Sequence, residues 1–248
     1  MIKLLSFKTR RPGLTSEAFR SHYETRHVPL GLSFIDHFRW RKYVRNYVVG
    51  PGLGRVGFDC LTEFWVAGSE DQERTARFVG SPEFSVLDED DRRFLDVAHR
   101  LSFEVEEHLL AGVERERDPA GVLRLAMFIS KPTEVPAAEF AADALEKARV
   151  FAQRHGDTCD RIELDLPTPD SSARGALRAV LSVWPHREGD RQDLAWPEIE
   201  NSIPGVCLEA VETSSEALFS GQTEVQGIES AAGDMTAHRQ AAREKGSR

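Results

Sequence analysis

The sequence of 248 residues predicts an α+β fold built from two successive β-α-β-β-α-β units, the tandem ferredoxin-like layout. Two observations support this prediction. The order of predicted strands and helices is the same in the two halves of the chain. In addition, the segments SFKTRRPGLTSEAF and MFISKPTEVPAAEF share a strand end, a proline-containing turn and a helix start. The spacing of 121 residues between Phe7 and Phe128 recurs between Phe19 and Phe140.

The first half supplies four predicted strands and two predicted helices. Alternating apolar residues predict the strands IKLLSF, WRKYVRNYVV, FDCLTEFWVA and RLSFEVEEHLL. Apolar residues at helical spacing predict a helix over 15–30, which Pro29 helps to end, and a second helix over about 71–97.

The second half follows the same plan. Its predicted strands are VLRLAMFIS, RIELDL, ALRAVLSVW and VCLEAVET. A helix is predicted over 136–155 and a short helix over 190–202.

Composition sets the predicted domain boundaries. Residues 1–111 form a first lobe and 121–219 a second, joined by the charged, proline-containing linker at 112–120. Residues 220–248 are rich in Gly, Ser and Ala, which predicts a flexible tail. Each predicted sheet carries helices on one face only, so its other apolar face must be buried. We therefore expect two sheets packed face to face as a pseudo-dimer within one chain, which is compatible with a further homodimer.

The net charge of −9 argues against nucleic-acid binding by the chain as a whole. Residues 1–55 nevertheless hold eleven Lys or Arg against three Asp or Glu, which leaves −17 on the remainder. This segment is either a solvated basic face or a positively charged pocket mouth that attracts an anionic small molecule. Three scattered cysteines favour a reducing compartment, and neither a long apolar run nor a signal peptide is visible. We expect a cytoplasmic protein without membrane contact.

The first predicted helix holds the strongest candidate for chemistry. The stripe of this helix that faces the sheet contains Phe19, Tyr23, Arg26, His27 and Leu30. His27 lies near the helix end, where the helix and sheet layers part. It is either a proton-transfer group at a cleft mouth or a boundary histidine whose ring bonds to the backbone. His22 lies five residues away on another side of the helix, so the two histidines are not placed to chelate one ion.

Polar residues inside the predicted strands are further candidates. Glu63 interrupts an apolar run, where burial would raise its pKa towards the range of a useful acid or base. Tyr43 and Tyr47 share one face of their strand, and Asn46 lies on the other face. His108 lies on the last strand of the first half. Any of these could equally be an ordinary surface residue.

The sequence predicts no bound metal and no organic cofactor. The segment 52–57, GLGRVG, matches the dinucleotide fingerprint but precedes a strand, not a helix whose N-terminus could hold a pyrophosphate. No HExxH, CxxC, P-loop or GxSxG motif is present.

A combination of motifs in the first half resembles the EthD family. These motifs are the hydrophobic first strand, the turn and helix start RRPGLTSEAF, the helix end HVP, the segment SPEF and the last strand VEEH. The resemblance covers about residues 2–110 and implies a dimeric α+β barrel. It places the family's histidines at His27 and His108. In the second half Ala148 stands where the repeat would place His27, so that lobe resembles the family only in layout and is expected to be structural.

The resemblance also implies a function. Members of the family act, often without cofactor, on aromatic or polyketide-like molecules as cyclases, dehydratases, lyases or monooxygenases. We expect a cofactor-independent lyase, dehydratase or cyclase acting on a small aromatic or polyketide-type substrate, which can be anionic. The alternatives are a cofactor-free monooxygenase and a non-catalytic module that binds a hydrophobic ligand. The expected catalytic residues are His27, His108, Glu63 and Tyr43, and the expected substrate-binding residues are Tyr23, Asn46, Tyr47 and Trp65.

Overall fold

Eight antiparallel strands form the centre of the computed structural model, which describes residues 1–50, 56–114, 123–168, 178–187 and 194–219. The strands are β1 (Ile2–Lys8), β2 (Lys42–Val48), β3 (Cys60–Val66), β4 (Leu101–Gly112), β5 (Leu123–Ser130), β6 (Cys159–Pro167), β7 (Arg178–Pro185) and β8 (Ser202–Glu212). They close into one barrel in the order β1-β3-β2-β8-β5-β7-β6-β4.

The α-helices of the described residues are α1 (Ser16–His22), α2 (Val28–Leu32), α3 (Ile35–Phe38), α4 (Ser69–Val79), α5 (Ser85–Phe94) and α6 (Ala137–His155). A π-helical turn, Tyr23–His27, joins α1 to α2. Short 3₁₀ turns span Pro82–Phe84, Val97–His99 and Gly156–Thr158, and residues 215–219 are helical. None of these helices combines the length and the apolar character that crossing a membrane requires.

The alternating pattern of the strands divides the apolar residues between the inside and the outside of the barrel. Inside, one end is filled by Leu5 and Phe7 of β1 with Leu61, Phe103 and Phe128 from other strands. Outside, one core packs the first five helices against β1, β2 and β3. A second core packs α6 against the strands of the second half.

The predicted fold class, tandem ferredoxin-like repeats that form an intrachain dimeric α+β barrel, is wrong. The structure is one closed eight-stranded antiparallel barrel, not two sheets packed face to face. Strand β2 pairs with β8, and β4 pairs with β6, so the four strands that would have been sheet edges are hydrogen-bonded to one another. Edge strands carry unpaired N–H and C=O groups, and closing the barrel satisfies them.

The predicted helices also differ from those observed. The described part of the segment predicted as a helix over 190–202 contains no helix, and β8 begins at Ser202. The second half therefore does not repeat the helix content of the first half in its described residues. The predicted helix over 71–97 is two helices, because Pro82 interrupts the backbone hydrogen bonds between α4 and α5.

Several predicted segments fall wholly or mainly outside the described residues. They include most of the linker, most of the GLGRVG segment and the whole of 220–248. The lobe boundaries 1–111 and 121–219 stay a prediction, although the strands of each half are neighbours around the barrel.

Candidate functional site

A cavity of about 330 Å³ lies between the outer face of the sheet and the helices of the first half. Its walls are mainly apolar and aromatic, and they include Trp40, Phe64 and Leu87. Its polar wall residues are Ser6, Lys8, Tyr23, His27, Tyr43, Gln72, Thr75, Asp91, Arg100 and Ser102. An apolar cavity with a few convergent polar groups is typical of a small-molecule site.

The π-helical turn Tyr23–His27 places two of the predicted site residues on the cavity. The N–H of Val28 donates to the carbonyl oxygen of Tyr23, so the turn holds one residue more than an α-helical turn. The rings of Tyr23 and His27 lie with their centroids 5.3 Å apart and meet nearly edge to face. Single π-helical turns inside helices occur frequently at functional sites.

Two carboxylates of α5 hold the imidazole of His27. Asp90 Oδ2 lies 3.0 Å from His27 Nδ1, and Asp91 Oδ1 lies 3.6 Å from Nε2. Both aspartates are nearly buried, with 5% and 6% of their surface exposed. An ionised carboxylate can only accept a hydrogen bond, so Nδ1 donates to Asp90. Nε2 is then the ring nitrogen that can take up a proton.

The surroundings of His27 lower its pKa. Burial is the largest cause, and the charge of Lys8 adds to it, while Asp91 and Asp90 act in the opposite direction. Asp91 is itself fixed by Arg100, whose Nη2 lies 2.8 Å from Oδ2. Asp90 therefore orients the ring of His27 through Nδ1, and the ring stays largely neutral near pH 7.

Two phenols complete the polar part of the cavity. Tyr23 Oη lies 2.8 Å from Thr62 Oγ1. Burial raises the pKa of Tyr23 and of Tyr43, so both phenols stay protonated at neutral pH and can donate a hydrogen bond.

Three of the eight predicted site residues, His27, Tyr43 and Tyr23, line this cavity. Tyr47 lies on the same side of the sheet, but its Oη donates to Glu24 at 2.6 Å, and it is not part of the cavity wall. His108 lies on the barrel's outer face, directly opposite Leu164 in the pairing of β4 with β6.

Two of the expected catalytic residues, Glu63 and His108, do not line the cavity of His27. Asp90, which was not among the predicted residues, holds the ring instead. Glu63 points into the barrel, where Asn46 donates to it at 2.8 Å and Arg124 binds it at 3.1 Å. Burial was expected to raise the pKa of Glu63. Burial does act in that direction, but Arg124 and Lys3 outweigh it and lower the pKa to about 2.

Asn46, Glu63 and Trp65 border a second, strongly charged cavity of about 630 Å³ inside the barrel. Lys3 lies at its centre, with its Nζ 2.8 Å from Asp165 Oδ1 and 3.5 Å from Glu63 Oε1. Burial among several carboxylates raises the pKa of Asp165 to about 7, although Lys3 opposes this shift. The residues predicted to share one pocket are thus divided between the two faces of the sheet.

Sequence reasoning missed Asp90, Asp91, Lys8 and Arg100. A signal for the two aspartates is present. The buried residues of α5 are Leu87, Asp90, Asp91 and Phe94, at the helical spacing of a core-facing stripe. Two carboxylates inside such a stripe predict a buried partner for them. For Lys8, the signal is its place after Leu4 and Ser6 on one face of β1.

Among the described residues, no group of three or more His, Cys, Asp or Glu is arranged to hold a metal ion. The expected independence of metals and cofactors stays a prediction.

No curated protein matches the chain. Solved structures resemble it distantly. A "putative monooxygenase" from Lactobacillus acidophilus NCFM is 7% identical with a TM-score of 0.46, covering 86% of this chain and 96% of that one. One with the same description from Fusobacterium nucleatum is 8% identical with the same TM-score and the same coverages. A heme-binding protein from Thermus thermophilus is 12% identical with a TM-score of 0.37, covering 88% and 94%. Likeness at this level carries no argument about activity.

The family comparison is specific to the first half of the chain. The model of the EthD domain matches residues 11–98. This stretch contains the π-helical turn with His27 and the helix α5 with Asp90 and Asp91. The resemblance inferred from the motifs is confirmed, because residues 11–98 match the EthD domain.

Proposed function

We propose that the protein is an enzyme that transfers a proton to or from an aromatic or polyketide-type carbonyl compound, as a lyase, dehydratase or cyclase. The observation that carries this proposal is the contact of His27 Nδ1 with Asp90 in the wall of an apolar cavity. A base held by a carboxylate in a water-poor pocket is the arrangement that general acid–base catalysis uses.

The geometry supports a definite role for His27. Its Nδ1 is engaged by Asp90, so Nε2 takes a proton from a carbon atom next to the substrate carbonyl. The lowered pKa keeps this nitrogen unprotonated near neutral pH. Asp91, 3.6 Å from Nε2, stabilises the imidazolium that forms. Positioned acid–base groups of this kind contribute on the order of 10²–10⁴ in rate.

Tyr43 is the proposed donor to the developing enolate or phenolate oxygen. It lines the same cavity as His27, and its raised pKa keeps the phenol protonated. Tyr23 already bonds to Thr62, so it is better placed to position Tyr43 and His27 than to donate itself. Donors aimed at an oxyanion in an apolar pocket lower the barrier to its formation.

The size and the walls of the cavity support a compact aromatic substrate. A volume of about 330 Å³ lies at the lower end of the range for small-molecule sites. Phe64 stacks on Tyr43 and tilts against Trp40, which gives an aromatic wall beside the polar groups. Aromatic rings pack favourably against such a wall.

Cofactor-free oxygenation of an electron-rich phenol is the second candidate, since the same His27 would deprotonate a phenol in the same cavity. An assay under anaerobic conditions separates the two, because only the oxygenation stops without O₂.

The proposed function is tested by α-proton exchange. Phenolic and benzylic β-diketones are incubated in D₂O with the wild type, His27→Ala and His186→Ala, and exchange is followed by NMR. His186 lies in the second half, away from the cavity, and serves as the matched control. We expect exchange to fall by about 10²–10⁴ in His27→Ala and to stay unchanged in the control. Equal exchange in all three proteins would leave a ligand-binding module as the better description.

A further inference from the structure

Lys8 is a basic residue in the wall of the cavity that the proposed proton transfer does not use. It is the last residue of β1, paired with Cys60 of β3, on the face of the sheet that the helices cover. Residues 11–98 match the domain model, so Lys8 lies outside the matched stretch.

The amine of Lys8 has no carboxylate partner among the described residues. No ion pair within 4.0 Å involves its Nζ there, and the carboxylate that acts on it, Asp91, is already engaged. Asp91 is bound by Arg100 at 2.8 Å and faces His27 at 3.6 Å.

Lys3 on the same strand gives an internal comparison. It points to the other face of the sheet, and three carboxylates lie within 3.5 Å of its Nζ. These carboxylates raise its pKa despite burial. For Lys8 the pKa is lowered, mainly by burial and also by Arg100, while Asp91 offsets only part of the effect. Lys8 therefore has a larger fraction of neutral amine near pH 7–8 than an ordinary lysine.

We propose that Lys8 is a nucleophile that forms a Schiff base with a ketone carbonyl of the substrate, beside His27. This inference rests on the proposed function and narrows the substrate class to ketones, including β-diketones, that carry an aromatic group. The cavity supplies the apolar environment in which lysine amines act in this way.

The step balances without an oxidant or a reductant. The Lys8 ammonium gives a proton to His27, and the free amine attacks the carbonyl carbon. The N–C bond forms, the C–O π pair moves to oxygen, and a proton moves from nitrogen to oxygen to give the carbinolamine. The nitrogen lone pair then expels the hydroxyl, which takes the proton from His27 and leaves as water. His27, now neutral, removes the α-proton of the iminium ion and leaves an enamine.

The test traps this adduct with one probe, benzylacetone, a methyl ketone with an aromatic ring. The full-length protein is incubated with benzylacetone and sodium cyanoborohydride, and the modified lysines are located by peptide mass mapping. We expect one adduct per chain, at Lys8, formed at least about tenfold faster than at the half-buried Lys42. Lys8→Met should abolish this fast adduct, and Lys42→Met should leave it unchanged.

Modification spread over surface lysines, with Lys8 no faster than Lys42, would overturn the inference. Mapping on the wild type decides the question even if Lys8→Met fails to fold. The α-proton exchange assay keeps the two proposals apart. Loss of exchange in His27→Ala without trapping at Lys8 would leave the proposed function in place and remove the Schiff base. Trapping at Lys8 with exchange unaffected in His27→Ala would leave the Schiff base in place and remove the proposed proton transfer by His27.

Discussion

The reactivity proposed for His27 depends on which charges face each of its two ring nitrogens. Asp90 orients the ring, Asp91 favours the imidazolium, and Lys8 and burial favour the neutral form. These side chains lie on two elements, α5 and β1, and act on a residue of a third, the π-helical turn. A change in any one of these side chains should therefore be visible in the titration of His27, even without substrate.

At the scale of the residue, we predict a His27 pKa below the ordinary value of about 6.5 for histidine. Removing the positive charge of Lys8 in Lys8→Met should raise it, because that charge disfavours the imidazolium. NMR titration of the imidazole Cε1–H measures both values, with Lys42→Met as the charge-matched control. The acid limb of kcat/KM should lie at the same pH, with activity lost as the pH falls through it.

A second consequence concerns stability. The pKa of His27 is lower in the folded than in the unfolded state, so protonation of the ring destabilises the folded protein. The contribution of the neutral ring to the free energy of unfolding is full above about pH 6.5 and is lost as the pH falls through the folded-state pKa. A folded-state pKa at or above 6.5, or no response to Lys8→Met, would contradict the proposed environment.

At the scale of the element, the π-helical turn Tyr23–His27 decides which way His27 points. The sequence predicted one continuous helix over 15–30, and the stripe containing Tyr23 and His27 does face the sheet. The extra residue of the turn was not predicted, because no residue type marks a π-helical turn and tertiary contacts decide where one forms. The apolar stripe was enough to find His27. The partner of His27 was missed because Glu63, although on a neighbouring strand, points to the other side of the sheet.

Deleting Thr25 tests this element. Thr25 is exposed, and its removal should restore an α-helical turn with one residue fewer between Tyr23 and Val28. The side chain of His27 should then be displaced from Asp90, because the backbone that carries it takes a shorter path. We expect a folded protein in which His27 no longer meets Asp90 and the α-proton exchange is lost. Circular dichroism and the exchange assay measure the two effects, and Thr25→Ala, which keeps the residue count, should retain exchange. Full activity in the deletion variant would show that the turn does not set the site.

At the scale of the whole molecule, the barrel interior has one apolar end and one charged end. The alternation of strand residues was visible in the sequence, which is why all eight strands were predicted. The closure was not visible, since the pairings of β2 with β8 and of β4 with β6 join residues at least 49 positions apart. Lys3, Glu63 and Asp165 therefore could not be recognised as one cluster.

This cluster predicts a pH-dependent stability. The raised pKa of Asp165, about 7, means that the folded state holds a proton that the unfolded state releases at about pH 3.9. The resulting stabilisation is full below pH 3.9 and is lost as the pH rises through 7. Between pH 5 and pH 7 the loss is about 2–3 kcal/mol.

Urea unfolding of the wild type and Asp165→Asn at pH 5, 6, 7 and 8 measures this effect. The amide cannot ionise, so the variant should lack this part of the pH dependence. Glu163→Gln, at a neighbouring inward position of β6, is the control for the loss of a buried carboxyl. Parallel stability curves for the wild type and Asp165→Asn would show that Asp165 is ionised throughout.

The pairing of β2 with β8 has a consequence for the synthesis of the protein on the ribosome. Residue 48 at the end of β2 precedes Ser202 at the start of β8 by 154 positions. At about 5–20 residues per second, translation takes on the order of 8–30 s to supply the partner strand. During that time β2 can pair with a strand of another nascent chain. Lys42 places a positive charge next to the residues of β2 that pair with β8, and charged side chains on an edge discourage such pairing.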